Sequence, residues 1–104
     1  MNTAIPLPLD ELAQFCRRWR IARLEVFGSV LGEEFGPDSD VDFLVTWADD
    51  ARVSLFDVVD AEGELSRLLG RPVDLVSRQG LEQSENYIRR RAILGSARPV
   101  YAAS

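Results

Sequence analysis

Residues 26–45, VFGSVLGEEFGPDSDVDFLV, decide the fold. They hold a strand end, a glycine-serine turn, and a second strand that opens on two aspartates. The second strand is predicted over Val41 to Trp47. Extended residues two apart point the same way, so Asp40 and Asp42 project from one face and Val41, Phe43, Val45 and Trp47 from the other. The apolar face can lie under helices while the carboxylates stay open to solvent and ligand. Two carboxylates fixed on one side of a sheet suit hard divalent cations. Gly28-Ser29 follows Leu24-Glu25-Val26-Phe27 and precedes a helix-compatible run from Val30 to Phe35. A strand, a glycine turn and a helix start leave backbone N–H groups free and aim a positive dipole end outward, an environment that attracts phosphate. Gly28 lets the backbone approach an anion without a Cβ, and Ser29 can cap the helix or donate its hydroxyl.

Working outward, residues 8–20 place Leu9, Leu12, Cys16 and Trp19 at helical spacing, with acids early and arginines late, which suits a packing helix. Cys16 on that stripe reads as a buried thiol. Ile21 to Phe27 reads as the first strand. After the main stretch, Ser54 caps a helix that Gly70 ends, its stripe formed by Leu55, Val58, Val59, Leu65, Leu68 and Leu69 and interrupted by Glu62. Arg71 to Ser77 reads as a third strand in which Val73 and Leu75 alternate with Asp74. Laid beside the second strand, it would stand Asp74 next to Asp40 and Asp42. Ser39 is placed to brace Asp40. Leu81 to Leu94 reads as a last helix with Leu81, Ile88 and Ala92 inward, and Arg98 to Tyr101 as a short edge strand or a docking tail. Arg89, Arg90 and Arg91 form the only basic run, read as a solvated helix face ahead of the alternative, a phosphate or partner contact.

The arrangement Gly28-Ser29, ten residues, then Asp40-Val41-Asp42 resembles the signature of the polymerase-β-type nucleotidyltransferases. FGSVLGEEFGPDSDVDFLV is similar to the minimal nucleotidyltransferase (MNT) family of prokaryotes, and the resemblance covers essentially the whole chain. It implies an α/β (α+β) fold: a mixed sheet of three to four strands with helices packed on one face and an open catalytic face. It also implies that Asp40, Asp42 and Asp74 hold Mg²⁺ or Mn²⁺, that Asp74 helps take a proton, and that Gly28 and Ser29 hold the phosphates of ATP. The expected partner is a HEPN-type, HepT-like ribonuclease toxin. Its tyrosine would receive AMP from an MntA-like antitoxin within a hetero-oligomer. Two alternatives stand beside this. One is an aminoglycoside-type transferase acting on a small molecule. The other is a silent antitoxin acting by binding alone, suggested by glycines at 32 and 36 where family members often carry basic residues.

The 104 residues suit one domain spanning 1–104, long enough to bury roughly two thirds of the unfolded surface. The net charge of −5, with twelve arginines and no lysine, disfavours a general nucleic-acid binder and suits a basic protein partner. One cysteine and no histidine exclude an intramolecular disulfide and the usual zinc sites. No signal-like pattern opens the chain and no apolar run approaches membrane-spanning length, so the cytoplasm is the expected location, without a membrane partner.

Overall fold

The computed structural model describes residues 6–28, 36 and 39–103. Strand β1 (Ile21–Phe27) and strand β2 (Val41–Trp47) form where apolar and β-branched residues alternate, and they pair antiparallel. β2 pairs in parallel with β3 (Val73–Ser77), and β4 (Arg98–Ala102) pairs antiparallel with the other side of β1. The order across the sheet is therefore β3-β2-β1-β4. A parallel pair needs a crossover, and helix α2 (Leu55–Leu69) supplies it between β2 and β3. The mixed sheet matches the expectation of three to four strands, and of the two readings of the C-terminal segment it is the edge strand that forms.

One face of the sheet carries the main core. Leu24, Val26, Val41, Phe43, Val45, Val73 and Leu75 meet Leu12, Phe15 and Cys16 of helix α1 (Leu9–Arg18) and Ala61 and Leu65 of α2. Burial pushes the Cys16 thiol up to about 12, so it stays protonated and inert. Ser54 caps α2 through a reciprocal box: its hydroxyl accepts from Asp57 N at 3.1 Å while Asp57 accepts from Ser54 N at 3.0 Å. Gly70 closes the helix in the left-handed region, at φ 71°.

The inward stripe of α2 is turned from the expected one. Ala61 and Leu65 are buried, whereas Leu55, Phe56 and Val59 are 76%, 81% and 61% exposed. The small side chain of Ala61 lets the helix approach the sheet, and the interrupting Glu62 explains itself. Its Oε2 accepts from Leu75 N at 3.0 Å, and Ser66 Oγ accepts from Val73 N at 3.1 Å. Both N–H groups lie on the outer edge of β3, so α2 satisfies donors that the sheet leaves unpaired.

The second face is not fully open. The single C-terminal helix expected over 81–94 is two helices, α3 (Arg78–Glu82) and α4 (Tyr87–Ser96). Polar side chains offer the backbone a competing turn between them. Ser84 Oγ accepts from Asn86 N at 3.2 Å, and Asn86 Oδ1 accepts from Arg89 N at 3.1 Å, which starts α4 afresh. The restart resets the helical phase. Leu81 and Ile93 point inward against Phe27 and Leu44, whereas Ile88 is 80% exposed and Ala92 is exposed too. Arg78 fastens this roof: its Nη1 reaches Glu25 Oε1 at 3.0 Å and its Nε reaches Glu82 Oε1 at 3.0 Å. Glu25 is only 4% exposed and also pairs with Arg23 at 3.2 Å, so its charge is compensated inside the fold. α3 and α4 cover the middle of this face and leave one end bare. No helix among the described residues is long and apolar enough to cross a membrane.

The edge bond from Glu62 carries a testable cost. Glu62→Ala should lower unfolding stability by about 1–3 kcal/mol, because it strands a donor that α2 otherwise covers. Glu62→Gln, which keeps an acceptor oxygen, should retain most of the stability. Urea midpoints of the two variants check this.

Candidate active site

The bare end of the second face is where the aspartates lie. Asp42 stands directly across from Asp74 in the parallel β2–β3 pair, and directly across from Phe27 in the antiparallel β1–β2 pair. Neighbouring strands lie about 4.8 Å apart, so the two carboxylates rise side by side. Asp40 precedes them at the strand's lip. Asp42 is half-buried, while Asp40 and Asp74 are exposed.

The crowding leaves an electrostatic mark on Asp42. Its carboxyl is pushed above the usual carboxylate range, first by burial and then by the negative charges of Asp74 and Asp40; Arg89 opposes the rise. Asp42 is also pressed against the turn that ends β1. A Cβ built on Gly28 would lie 2.5 Å from Asp42 Oδ2, and Gly28 adopts φ +78°. Both the backbone conformation and the space require glycine here, the latter because the carboxylate fills the volume that a side chain would need. Ser29 and the run from Val30 to Phe35, including Gly32, lie outside the described residues, so of the turn expected to bind phosphate only Gly28 is described.

Two devices fix the approach to β2. Ser39 braces Gly36 rather than Asp40: its Oγ accepts from Gly36 N at 2.9 Å, and Ser39 N donates to Gly36 O at 3.1 Å. Arg71, at the entry to β3, donates from Nη1 to the carbonyls of Gly36 and Ser39, each at 3.3 Å. Val41 N donates to Pro72 O at 3.0 Å. Asp40 thus follows a segment clamped to the start of the neighbouring strand. The short sequence distance from Arg71 to Asp74 was the only available signal for this role.

A cleft of about 400 Å³ opens over the group, lined by Phe27, Gly28, Asp42, Asp74, Arg89, Ala92, Ile93 and Ser96. Its floor is the sheet end and its wall is α4. Arg89 is exposed, as a solvated helix face requires, and it is also the one basic side chain that lines this cleft among the described residues. The phase of α4 decides this, since Arg89 and Ser96 lie seven residues apart on one face.

The donor set of Asp40, Asp42 and Asp74 is all oxygen and all anionic, the type that hard divalent cations take. The repulsion recorded at Asp42 is what such a cation would relieve. Among the described residues no group of three or more His, Cys, Asp or Glu side chains forms a ready cage.

The family model described as a nucleotidyltransferase domain matches residues 9–96. An inferred protein adenylyltransferase of Methanocaldococcus jannaschii is 31% identical over 64 residues, which span 62% of this chain and 63% of that protein, so just under two thirds of its length is matched. The solved structure of an inferred minimal nucleotidyltransferase is 33% identical, with 88% of this chain and 87% of that chain covered and a TM-score of 0.68. The fold also recurs in a complex of a tri-AMPylated Shewanella oneidensis HEPN toxin with its MNT antitoxin, at 18% identity and a TM-score of 0.63 over 91% of this chain and 70% of that one. With the family model matching residues 9–96, and a minimal nucleotidyltransferase structure 33% identical over most of both chains, the chain belongs to the nucleotidyltransferase domain family, in its minimal form.

Proposed function

We propose that this nucleotidyltransferase moves AMP from ATP to a hydroxyl of a protein partner, the acceptor being a tyrosine of a HEPN-type toxin that it restrains as antitoxin. The observation that carries the reaction is the register of Asp42 against Asp74 beside the Gly28 turn. The protein acceptor is supported by the cleft's form, a sheet end walled on one side by α4, which a docking partner can complete. It is supported too by the M. jannaschii relative, inferred to be a protein adenylyltransferase, and by the S. oneidensis antitoxin, seen with an AMPylated HEPN toxin.

Asp40, Asp42 and Asp74 would hold Mg²⁺ or Mn²⁺, which supplies charge neutralisation for the triphosphate and a lowered pKa for the attacking hydroxyl. Gly28 and Ser29 receive the β- and γ-phosphates on backbone N–H groups and a hydroxyl. Asp74, exposed beside Asp42, accepts the proton that the tyrosine hydroxyl loses. The hydroxyl oxygen bonds to the α-phosphorus as the bond to the α–β bridging oxygen breaks. Pyrophosphate carries away the electron pair, and the tyrosine keeps the AMP. Phe27 and Ile93 dry one side of the cleft. The assembly works as a hetero-oligomer because the acceptor is itself the partner protein.

Incubating the partner with labelled ATP and Mg²⁺ should label it, and Asp42→Asn should cut the labelling rate by at least about a hundredfold. A partner that stays unlabelled, yet is still neutralised by Asp42→Asn, would establish antitoxin action by binding alone. The same substitution should raise the melting temperature by a few degrees in EDTA at neutral pH, because it removes a crowded, half-buried charge. The folded chain holds the Asp42 proton more tightly than the unfolded chain, so stability is lost as pH rises through the raised folded value. The variant's advantage should accordingly vanish below about pH 4, a trend that thermal melts across pH would trace. Gly28→Ala should fold but label on the order of 10²-fold more slowly, since its Cβ must displace the Asp42 carboxylate. Retained secondary structure by circular dichroism would separate that loss from unfolding.

A further inference from the structure

The cleft sets a single arginine against two lining aspartates, Asp42 and Asp74, with Asp40 at its lip, and the three members of the arginine run have separate fates. Arg90 Nη1 donates to the carbonyls of Glu82 and Ser84 at 3.3 and 3.1 Å, and its guanidinium lies 5.6 Å from the centre of the Tyr87 ring. Arg91 Nη1 donates to the Tyr87 hydroxyl at 3.2 Å. Arg90 is thereby tied to the α3–α4 turn and Arg91 to the outside of α4. The backbone N–H of Arg89 is bound by the Asn86 cap, but among the described residues its guanidinium makes no hydrogen bond or ion pair. It faces the cleft with Asp42, Asp74 and Gly28.

We infer that Arg89 is a triphosphate-binding residue, donating its planar fork to the β- and γ-phosphate oxygens of ATP from the α4 side of the cleft, opposite the sheet. This rests on the proposed reaction and adds to it a contact that the glycine-serine turn does not contain. Charge argues for it. A triphosphate entering this cleft meets two lining carboxylates and a third at the lip, and Arg89 is the one lining side chain that favours it. Chemistry argues for it too, since guanidinium forks match phosphate oxygens two bonds at a time. The position is also prepared. The Asn86 cap sets the first turn of α4, and Ile93 anchors the helix in the core, so Arg89 is presented from a fixed base. The stripe of Arg89, Ala92 and Ser96 then gives the α4 wall a charged end and a small-residue end.

The test is the affinity of the intact protein for ATP, measured by calorimetry with Mg²⁺ and again in EDTA, alongside transfer to the partner. Arg89→Ala should weaken ATP binding by about 10- to 100-fold in both conditions, the worth of a charged hydrogen-bonding contact. Arg89→Lys should recover part of the loss, and Arg91→Ala, altered outside the cleft, should bind like the parent. Arg89→Ala with parental ATP affinity overturns the inference, including when transfer to the partner falls, because the arginine would then serve acceptor docking. A parent that binds ATP but labels no partner sinks the proposed reaction while leaving the Arg89 contact to stand or fall on the affinities. A parent that binds no ATP overturns both.

Discussion

The parallel pairing of β2 with β3 is the constraint on which the rest depends. Antiparallel neighbours can be joined by a tight turn, but a parallel neighbour must come back through a crossover. That crossover is α2, capped at Ser54 and ended at Gly70. Its length brings Val73 level with Val41, Asp74 level with Asp42 and Leu75 level with Phe43. A slip of one residue would turn Asp74 into the core and Leu75 into the cleft, an outcome excluded both by the cost of a buried carboxylate and by the loss of an apolar contact. The same register therefore secures the core on one face and gathers the acids on the other.

That arrangement places like charges together, and the fold holds them there by other means. Arg71 and the Val41–Pro72 bond pin the lip of β2, Gly28 leaves room for the Asp42 carboxylate, and α3 with α4 roofs the adjacent sheet without sealing it. The stability needed to hold this end comes from the apolar layer on the far side, where Phe15, Phe43, Leu24 and Leu65 are fully buried. Burying each such side chain contributes about 1.5–3 kcal/mol, more than a pair of partly solvated carboxylates takes away.

Much of this was legible in the chain. The limits of β1 and β2, the Ser54 cap, the Gly70 stop and the shared face of Asp42 and Asp74 all follow from local alternation and capping chemistry, which tertiary contacts here reinforce. The misread parts are those where a side chain answers to something distant. Glu62 looked like a flaw in an apolar stripe because its partner, the Leu75 N–H, lies thirteen residues on and belongs to a sheet edge. Ile88 and Ala92 read as inward only on an unbroken helix, and Ser84 and Asn86 restart it. Arg71 had no visible role until the segment it clamps was brought beside it.

The bonds from Ser66 and Glu62 to the outer rim of β3 have a consequence for how the molecule can associate. An open sheet normally exposes a row of donors and acceptors along each flank, a template on which another chain can build. Here two donors on one flank are already taken, and the opposite flank is a five-residue strand in which Pro99 lacks an N–H. Sheet continuation from one molecule into the next is thereby discouraged at both ends. Among the described residues, side-chain surfaces rather than an open strand edge are what the fold offers to a neighbour.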